Sequence, residues 1–430
     1  MQKNNPKVLN AWCLYDWANS VYALIISSTL FPVYYNNVTR KAFSGEEVYF
    51  LGLKISNTVI YSYSISVGYL ILVLVLPLLS GIADYSGRKK NFMQFFTWVG
   101  GLSCIALFFF HGENIEFGVF FSMLAVLGYA GSLVFYNSYL SDIASKDRHD
   151  YLSAKGYAWG YIGSVILLLF ILPLVIFYKQ VGFSHELEAM RYGFLLTGVW
   201  WIGFAQVTFY FLPTPHSDNS LQHLLLQGYK EIHKVFRMLQ TMPALKVFLF
   251  SFFFYIMGVQ TVMFLAATFG EKEIRLSSEK LIITILLIQI LAIAGAYFFA
   301  WVSEKKGNRF SILSMLLIWI GACLGAYFIQ SEYHFYTLAI IIGLIMGGIQ
   351  SLSRSTYSKL LPQDSPDTTS FFSFYDVSEK IAVVLGTFVY GLVEHLSGSM
   401  RNSTIALASF FVIGFVLLYK NRIENTRSDN

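Results

Sequence analysis

The stretch "GIADYSGRKKNFM", residues 81–93, stands between two apolar runs, each long enough to cross a membrane. Its composition describes a tight turn just outside lipid. Glycine permits the bend, Asp84 sits near a helix end, and the consecutive cations Arg88, Lys89 and Lys90 hold the loop on the cytoplasmic side. A carboxylate beside cations at such a boundary suits an inter-helix clamp that forms in one conformation and breaks in another.

The same alternation of long apolar run and short polar gap extends along the whole chain. Of its 430 residues 56% are hydrophobic and 13% charged, whereas a soluble domain is about a quarter charged. Apolar stretches of about 18–27 residues can cross a hydrocarbon core of roughly 30 Å as helices. They place spans at 12–35, 61–83, 92–110, 116–141, 153–178, 190–211, 243–269, 280–302, 310–329, 335–361, 370–395 and 402–420. Lipid tolerates no unpaired backbone, and these runs are too long for barrel strands. The expected class is an all-α integral membrane protein with about 12 transmembrane helices.

No cleavage site follows the first run, so "MQKNNPKVLN" precedes a retained helix rather than a signal peptide. With the N-terminus inside, about nineteen Lys and Arg fall on the cytoplasmic side and about nine outside. Both termini are therefore expected to be cytoplasmic. This bias also accounts for the net charge of +5 without a nucleic-acid partner. Cys13, Cys104 and Cys323 lie in or at the edge of apolar spans with no CxxC spacing, and the histidines are scattered. No disulfide, metal site or cofactor is expected.

The longest internal polar segment divides the chain into an N-terminal half, 1–211, and a C-terminal half, 243–430. Within this 212–242 linker, "LPTPHSDNS" breaks a helix, and "LQHLLLQGYKEIHKVFRML" alternates apolar and basic residues at the period of a helix lying on the inner membrane surface. The halves resemble each other. A shift of 217 residues brings "YNSYLSDIASKD" onto "SRSTYSKLLPQD", and a shift of 220 brings "ADYSGRKKNF" onto "SEKKGNRFSI", pairing Asp84 with Glu304 and Lys89 with Arg309. Two six-helix halves repeated in parallel follow from these offsets.

"GIADYSGRKK" resembles the loop signature that the major facilitator superfamily carries between its second and third helices, and "SEKKGNR" resembles its degenerate copy between helices eight and nine. Five further stretches, "LYDWANSVYAL" at 14, "YNSYLSDIA" at 136, "KGYAWGYIGS" at 155, "GGIQSLSRSTYSKLLP" at 347 and "FFSFYDVSEKIAVVLG" at 371, are similar to motifs of the autophagy-related vacuole effluxer family. That branch of the superfamily has many bacterial members. The resemblance implies secondary transport by alternating access, with the halves rocking about a central site in a bacterial inner membrane. Fungal relatives are associated with amino-acid release from the vacuole. One departure stands out: around Met257, in "FFYIMGVQTV", this chain is apolar where relatives are expected to carry a polar or acidic residue.

Ionisable and polar residues inside spans are costly, which makes them functional candidates. Asp16, Asn19 and Tyr22 form a polar stripe on the first span. Asp376 and Lys380, spaced i, i+4 with Glu379 beside them, form a second face, and Gln350 and Arg354 a third. These faces can converge on one cavity, with Lys380 near the midplane. Lys380 can meet a substrate carboxylate or pair with Asp376. Arg354 can clamp an anion or latch to an acid such as Asp16. Asp16, Asp376 and Glu379 are the proton-coupling candidates. Tyr136, Asn137, Tyr157, Tyr161, Gln260 and Gln289 are candidate cavity residues, and Asp84, Arg88, Glu304 and Arg309 candidate gate latches. Gly156, Gly160 and Gly163 are expected to permit close helix packing, and most aromatic side chains to face lipid or the interface.

The chain contains no HExxH, nucleotide loop, paired metal carboxylates or GxSxG, so an enzyme is not expected. The leading reading is a monomeric, proton-coupled carrier of a small polar metabolite, with amino acids first by family resemblance. Export of an amphiphilic compound is the alternative, as is a sensor that binds a ligand without moving it.

Overall fold

The computed structural model describes residues 3–45, 47–214 and 224–420. The end of "LPTPHSDNS", the start of the expected linker helix and the C-terminal tail from residue 421 lie outside the described residues. The chain opens with a long helical rod: α1 (Pro6–Val21), a π-helical segment (Tyr22–Leu30) and α2 (Phe31–Phe43). Pro6 lies in the first turn of α1, where its missing N–H costs nothing, and the Asn5 side chain accepts from the Lys7 N–H. A hairpin that the apolar periodicity does not announce follows, β1 (Glu47–Phe50) antiparallel to β2 (Leu53–Ser56). Its two-residue turn, Leu51 and Gly52, has positive φ at both positions, 49° and 81°.

The remaining helices are α3 (Asn57–Ser86), α4 (Lys89–Ala106), α5 (Ile115–Ile143), α6 (His149–Ile176), the short α7 (Tyr178–Val181), α8 (Glu186–Phe211), α9 (Leu224–Thr241), α10 (Pro243–Ile274), α11 (Ser278–Lys306), α12 (Asn308–Phe328), α13 (Glu332–Leu360), α14 (Thr368–Ser397) and α15 (Met400–Lys420). Among the described residues ten helices are long and apolar enough to cross a membrane. The opening rod, interrupted by its π segment, and α14, which carries Asp376, Glu379 and Lys380, bring the set to the expected twelve. Most helices overrun their apolar cores because caps rather than hydropathy end them; α3 stops at Gly87, with φ 66°, whose N–H returns to the carbonyls of Ala83 and Asp84.

The contact pattern repeats. α1 packs on α6 and α8, α3 on α5, and α4 on α5 and α8; in the second group α10 packs on α14 and α15, α11 on α13, and α12 on α13 and α15. The groups meet symmetrically, α3 on α14 as α6 on α11, and α5 on α14 as α6 on α13. A pseudo-twofold axis therefore relates them, the geometry the repeat offsets require. The amphipathic α9 lies on α3, where Gly81 and Gly228 allow backbone to touch backbone; a Cβ on Gly81 would collide with the Gly228 carbonyl. Some aromatic residues turn inward rather than toward lipid. Tyr15, Tyr34, Tyr35, Tyr136, Tyr139, Tyr255 and Tyr357 are fully buried in the bundle, where their hydroxyls find partners such as Thr97 for Tyr15 and the Phe371 carbonyl for Tyr357.

Candidate functional site

A cavity of about 200 Å³ lies between the two helix groups. At its floor Arg354 from α13 meets Asp16 from α1. Both terminal nitrogens of the guanidinium donate to Asp16 Oδ2 at 3.2 Å. One of them also donates to Asn137 Oδ1 at 3.3 Å, the other to the Ser153 carbonyl at 2.9 Å, and Nε donates to Ser153 Oγ at 2.9 Å. A guanidinium has five N–H donors, and these bonds occupy all of them. Asp16 Oδ2 also accepts from the Tyr136 hydroxyl at 2.7 Å. The rings of Trp12, Tyr136 and Tyr157 surround the cation, with centroids 4.8, 5.4 and 4.2 Å away. Gly156 and Gly160 give α1 and α6 the approach this cluster needs: a Cβ on Gly156 would stand 2.5 Å from Asp16 Oδ2.

On the C-terminal wall the i, i+4 spacing on α14 sets Lys380 Nζ 2.8 Å from Asp376 Oδ1, with Glu379 Oε2 at 3.4 Å. Gln260 donates to Glu379 Oε1 at 2.6 Å, and Tyr161 reaches across the groups to Gln350 Oε1 at 2.6 Å. Asp16, Tyr22, Asn137, Tyr157, Tyr161, Gln260, Gln289, Gln350, Arg354, Glu379 and Lys380 all line this one cavity. Three predicted residues do not. Asn19 is buried to one side, because the cavity face of the opening rod runs through Asp16 and Ser20 of α1 and then Tyr22 and Ser27 of the π segment. Tyr136 lies beneath the floor, and Asp376 behind Lys380. Ser20, Tyr69, Tyr129 and Tyr375 also line the cavity; the serine and Tyr69 carry no charge that would single them out inside an apolar run.

The groups are tied together at the end carrying the α3–α4 turn. Asp84 accepts from the backbone N–H groups of Thr369 and Ser370, at 3.2 and 2.6 Å, and so places a carboxylate at the positive end of α14. The cations of the same turn do other work: Lys89 pairs with Asp142, Lys90 donates to the Leu212 carbonyl at 2.8 Å, and Arg88 is exposed. Glu304 is exposed and Arg309 caps the carbonyls of Leu418 and Tyr419, so neither latches the groups. Asp150, at the start of α6, takes the symmetric role. It accepts from Ser303 Oγ at 2.9 Å, Asn308 Nδ2 at 2.7 Å and Lys359 Nζ at 2.6 Å, all buried. Sequence reasoning missed this cluster, whose one signal is a third cation, Lys359, near the end of the helix that carries Arg354.

At the rim Lys3 pairs with Asp364 at 2.9 Å, and Lys234 of α9 with Asp367 at 2.8 Å. Partial burial opposes the charge on Lys234, but its hydrogen bonds to Asp367 and Glu231 outweigh that and raise its pKa above the ordinary lysine value. The hydrogen bond and charge of Lys3 hold the Asp364 carboxyl below the usual range.

A sequence profile described as vacuole effluxer Atg22-like matches residues 4–430. The MFS-type transporter YxiO of Bacillus subtilis is 28% identical over 97% of this chain and 95% of its own length. Autophagy-related protein 22 of Eremothecium gossypii is 24% identical over 81% of this chain and 75% of its own. The crystal structure of the human organic anion transporter MFSD10 superposes with a TM-score of 0.70 over 97% of this chain and 100% of that one, at 14% identity, a likeness of fold. The chain therefore belongs to the vacuole effluxer Atg22-like family and is a transporter of the major facilitator superfamily.

Proposed function

We propose that this transporter is a secondary carrier that moves a small polar metabolite, an amino acid in the first place, by alternating access coupled to protons. One observation carries the reading: a polar cavity shared by both helix groups is tied at one end by Asp84, Asp150 and the Arg354–Asp16 pair. Such a cavity faces one side of the membrane at a time. The rocking bodies are then 1–211 and 243–430, joined by 212–242. The tied end and both termini face the cytoplasm, the protein sits as a monomer in a bacterial inner membrane, and Asp16, Asp376 or Glu379 carries the proton.

The test is uptake of labelled amino acids by proteoliposomes, with and without an imposed proton gradient. Uptake that accelerates with the gradient and is lost in Lys380→Met supports the proposal. Equal initial rates with and without the gradient would remove coupling. The tyrosine-rich lining, with Tyr22, Tyr69, Tyr129 and Tyr375, supports a second reading, export of an amphiphilic amine or acid; flux of amphiphiles but no amino acid would establish it. Binding without flux of either would leave a sensor.

A further inference from the structure

The charges and hydrogen-bonding groups around the cavity are not balanced. Arg354 has no donor left, and its side chain is 2% exposed. Lys380 is held between two carboxylates and is 7% exposed. A carboxylate entering the cavity would find Arg354 without a donor and Lys380 with two of its three donors already taken by carboxylates. Acceptors, in contrast, are in surplus. Two cations, Arg354 and Lys380, stand against three carboxylates, Asp16, Asp376 and Glu379, which leaves one formal negative charge. Glu379 is the most open of the five at 21% side-chain exposure. Gln289 Oε1 lies buried on the cavity wall without a donor, and Asp376 Oδ2 is likewise unmatched. Tyr69, Tyr129, Tyr157 and Tyr375 all lie close enough to Glu379 to feel its charge, and their rings share the same cavity.

We infer that the cavity contains a site for a single ammonium group, with Glu379 as its counter-charge, Gln289 as a neutral acceptor and tyrosine rings as its walls. An ammonium supplies donors and no acceptors, so it matches what the site leaves unmet, and aromatic faces attract a cation inside a desolvated cavity. The ligand class is a small organic monocation, or the amino end of a zwitterion whose carboxylate remains in water at the open end. The inference rests on the carrier reading above and adds its charge selectivity.

Three probes with one side chain separate the possibilities: L-leucinamide, a cation; L-leucine, a zwitterion; and N-acetyl-L-leucine, an anion. Each is titrated against the purified full chain at about pH 6.5, below an α-amino pKa of about 7.7, with thermal stabilisation as the readout. Leucinamide should act at concentrations at least about tenfold below those of N-acetyl-leucine, the scale of one charge-assisted contact. Glu379→Gln should abolish that preference. Stabilisation by N-acetyl-leucine equal to or stronger than that by leucinamide would overturn the ammonium site and leave the carrier reading intact. A preference for the cation that survives Glu379→Gln would remove Glu379 from the site. If none of the three stabilised the wild-type chain while amphiphiles did, both the ammonium site and the amino-acid reading would fall. The order of the probes on the wild-type chain decides the main point even where the variant fails to fold.

Discussion

Arg354 shows how completely a single side chain can be absorbed by its surroundings. Its charge is buried against Asp16, and its donors reach α1, α5 and α6 at once. Removing one partner of such a pair costs about 3–5 kcal/mol, because the other charge remains buried and uncompensated. Asp16→Asn should therefore destabilise the protein by that amount in a denaturant titration in detergent. Adding Arg354→Met should recover most of the loss, and a double variant no more stable than Asp16→Asn would show that the pair is not the source. Gly156→Ala tests the same cluster from the other side. Its methyl would stand 2.5 Å from Asp16 Oδ2 and 3.0 Å from Arg354 Nη2, neither of which is free to move. A cost of about 1–3 kcal/mol, typical of overpacking, is expected.

Among the elements, the π segment Tyr22–Leu30 is the one that apolar periodicity could not reveal, since its composition is that of any apolar span. In a π turn the carbonyl bonds five residues ahead. The hydroxyls of Ser28 and Thr29 return to the carbonyls of Ala23 and Leu24 in that same i−5 pattern, at 2.8 and 2.6 Å. Ala23, Leu24, Ser27 and Ser28 face the cavity, so the irregular backbone lines a cavity rather than lipid. Hydrogen exchange should be faster over residues 23–30 than over α1, and Thr29→Val should widen the gap by about tenfold, the value of one hydrogen bond of about 1 kcal/mol or slightly more. Exchange over the segment as slow as over α1 would mean that it is not a weak point.

At the scale of the whole molecule, Asp84 and Asp150 do the same work on opposite sides of the pseudo-twofold axis. Each joins one helix group to the other at the same end. Loss of either should shift the population toward a state open at that end. With the three cysteines replaced by alanine and Ser138 by cysteine, Asp84→Ala should raise the maleimide labelling rate at position 138 at least about fivefold, the lower edge of ordinary coupling energies. Unchanged labelling would mean that the capped helix is not part of the latch. The rim pairs respond to pH in opposite directions. Asp364 has its pKa lowered, so its contribution is complete above the ordinary carboxylate range and fades as pH falls through the lowered value. Lys234 has its pKa raised, so its contribution is complete below the ordinary lysine value and fades as pH rises through the raised one. From about pH 5 to 9 both pairs should hold, and Lys3→Ala and Lys234→Ala should change labelling by the same factor at both limits.

Local chemistry was enough for much of this. The all-α membrane class, the helix count and the two-group repeat follow from run length, the ban on unpaired backbone in lipid, and offsets that recur near 220 residues. The convergence of Asp16, Arg354, Gln350, Glu379 and Lys380 was legible because a charge inside an apolar run is conspicuous and helical spacing says which charges share a face. Three features were decided only in three dimensions. Asn19 turned away from the cavity, since the face of α1 that α6 leaves open is set by packing at Gly156 and Gly160. Asp150 rather than Glu304 bonds across the groups, since the partners Ser303, Asn308 and Lys359 come from helices brought together by the fold. The pairing of Arg354 with Asp16 was the third, since a donor's freedom depends on every neighbour within reach, and those neighbours lie up to 338 residues away in the chain.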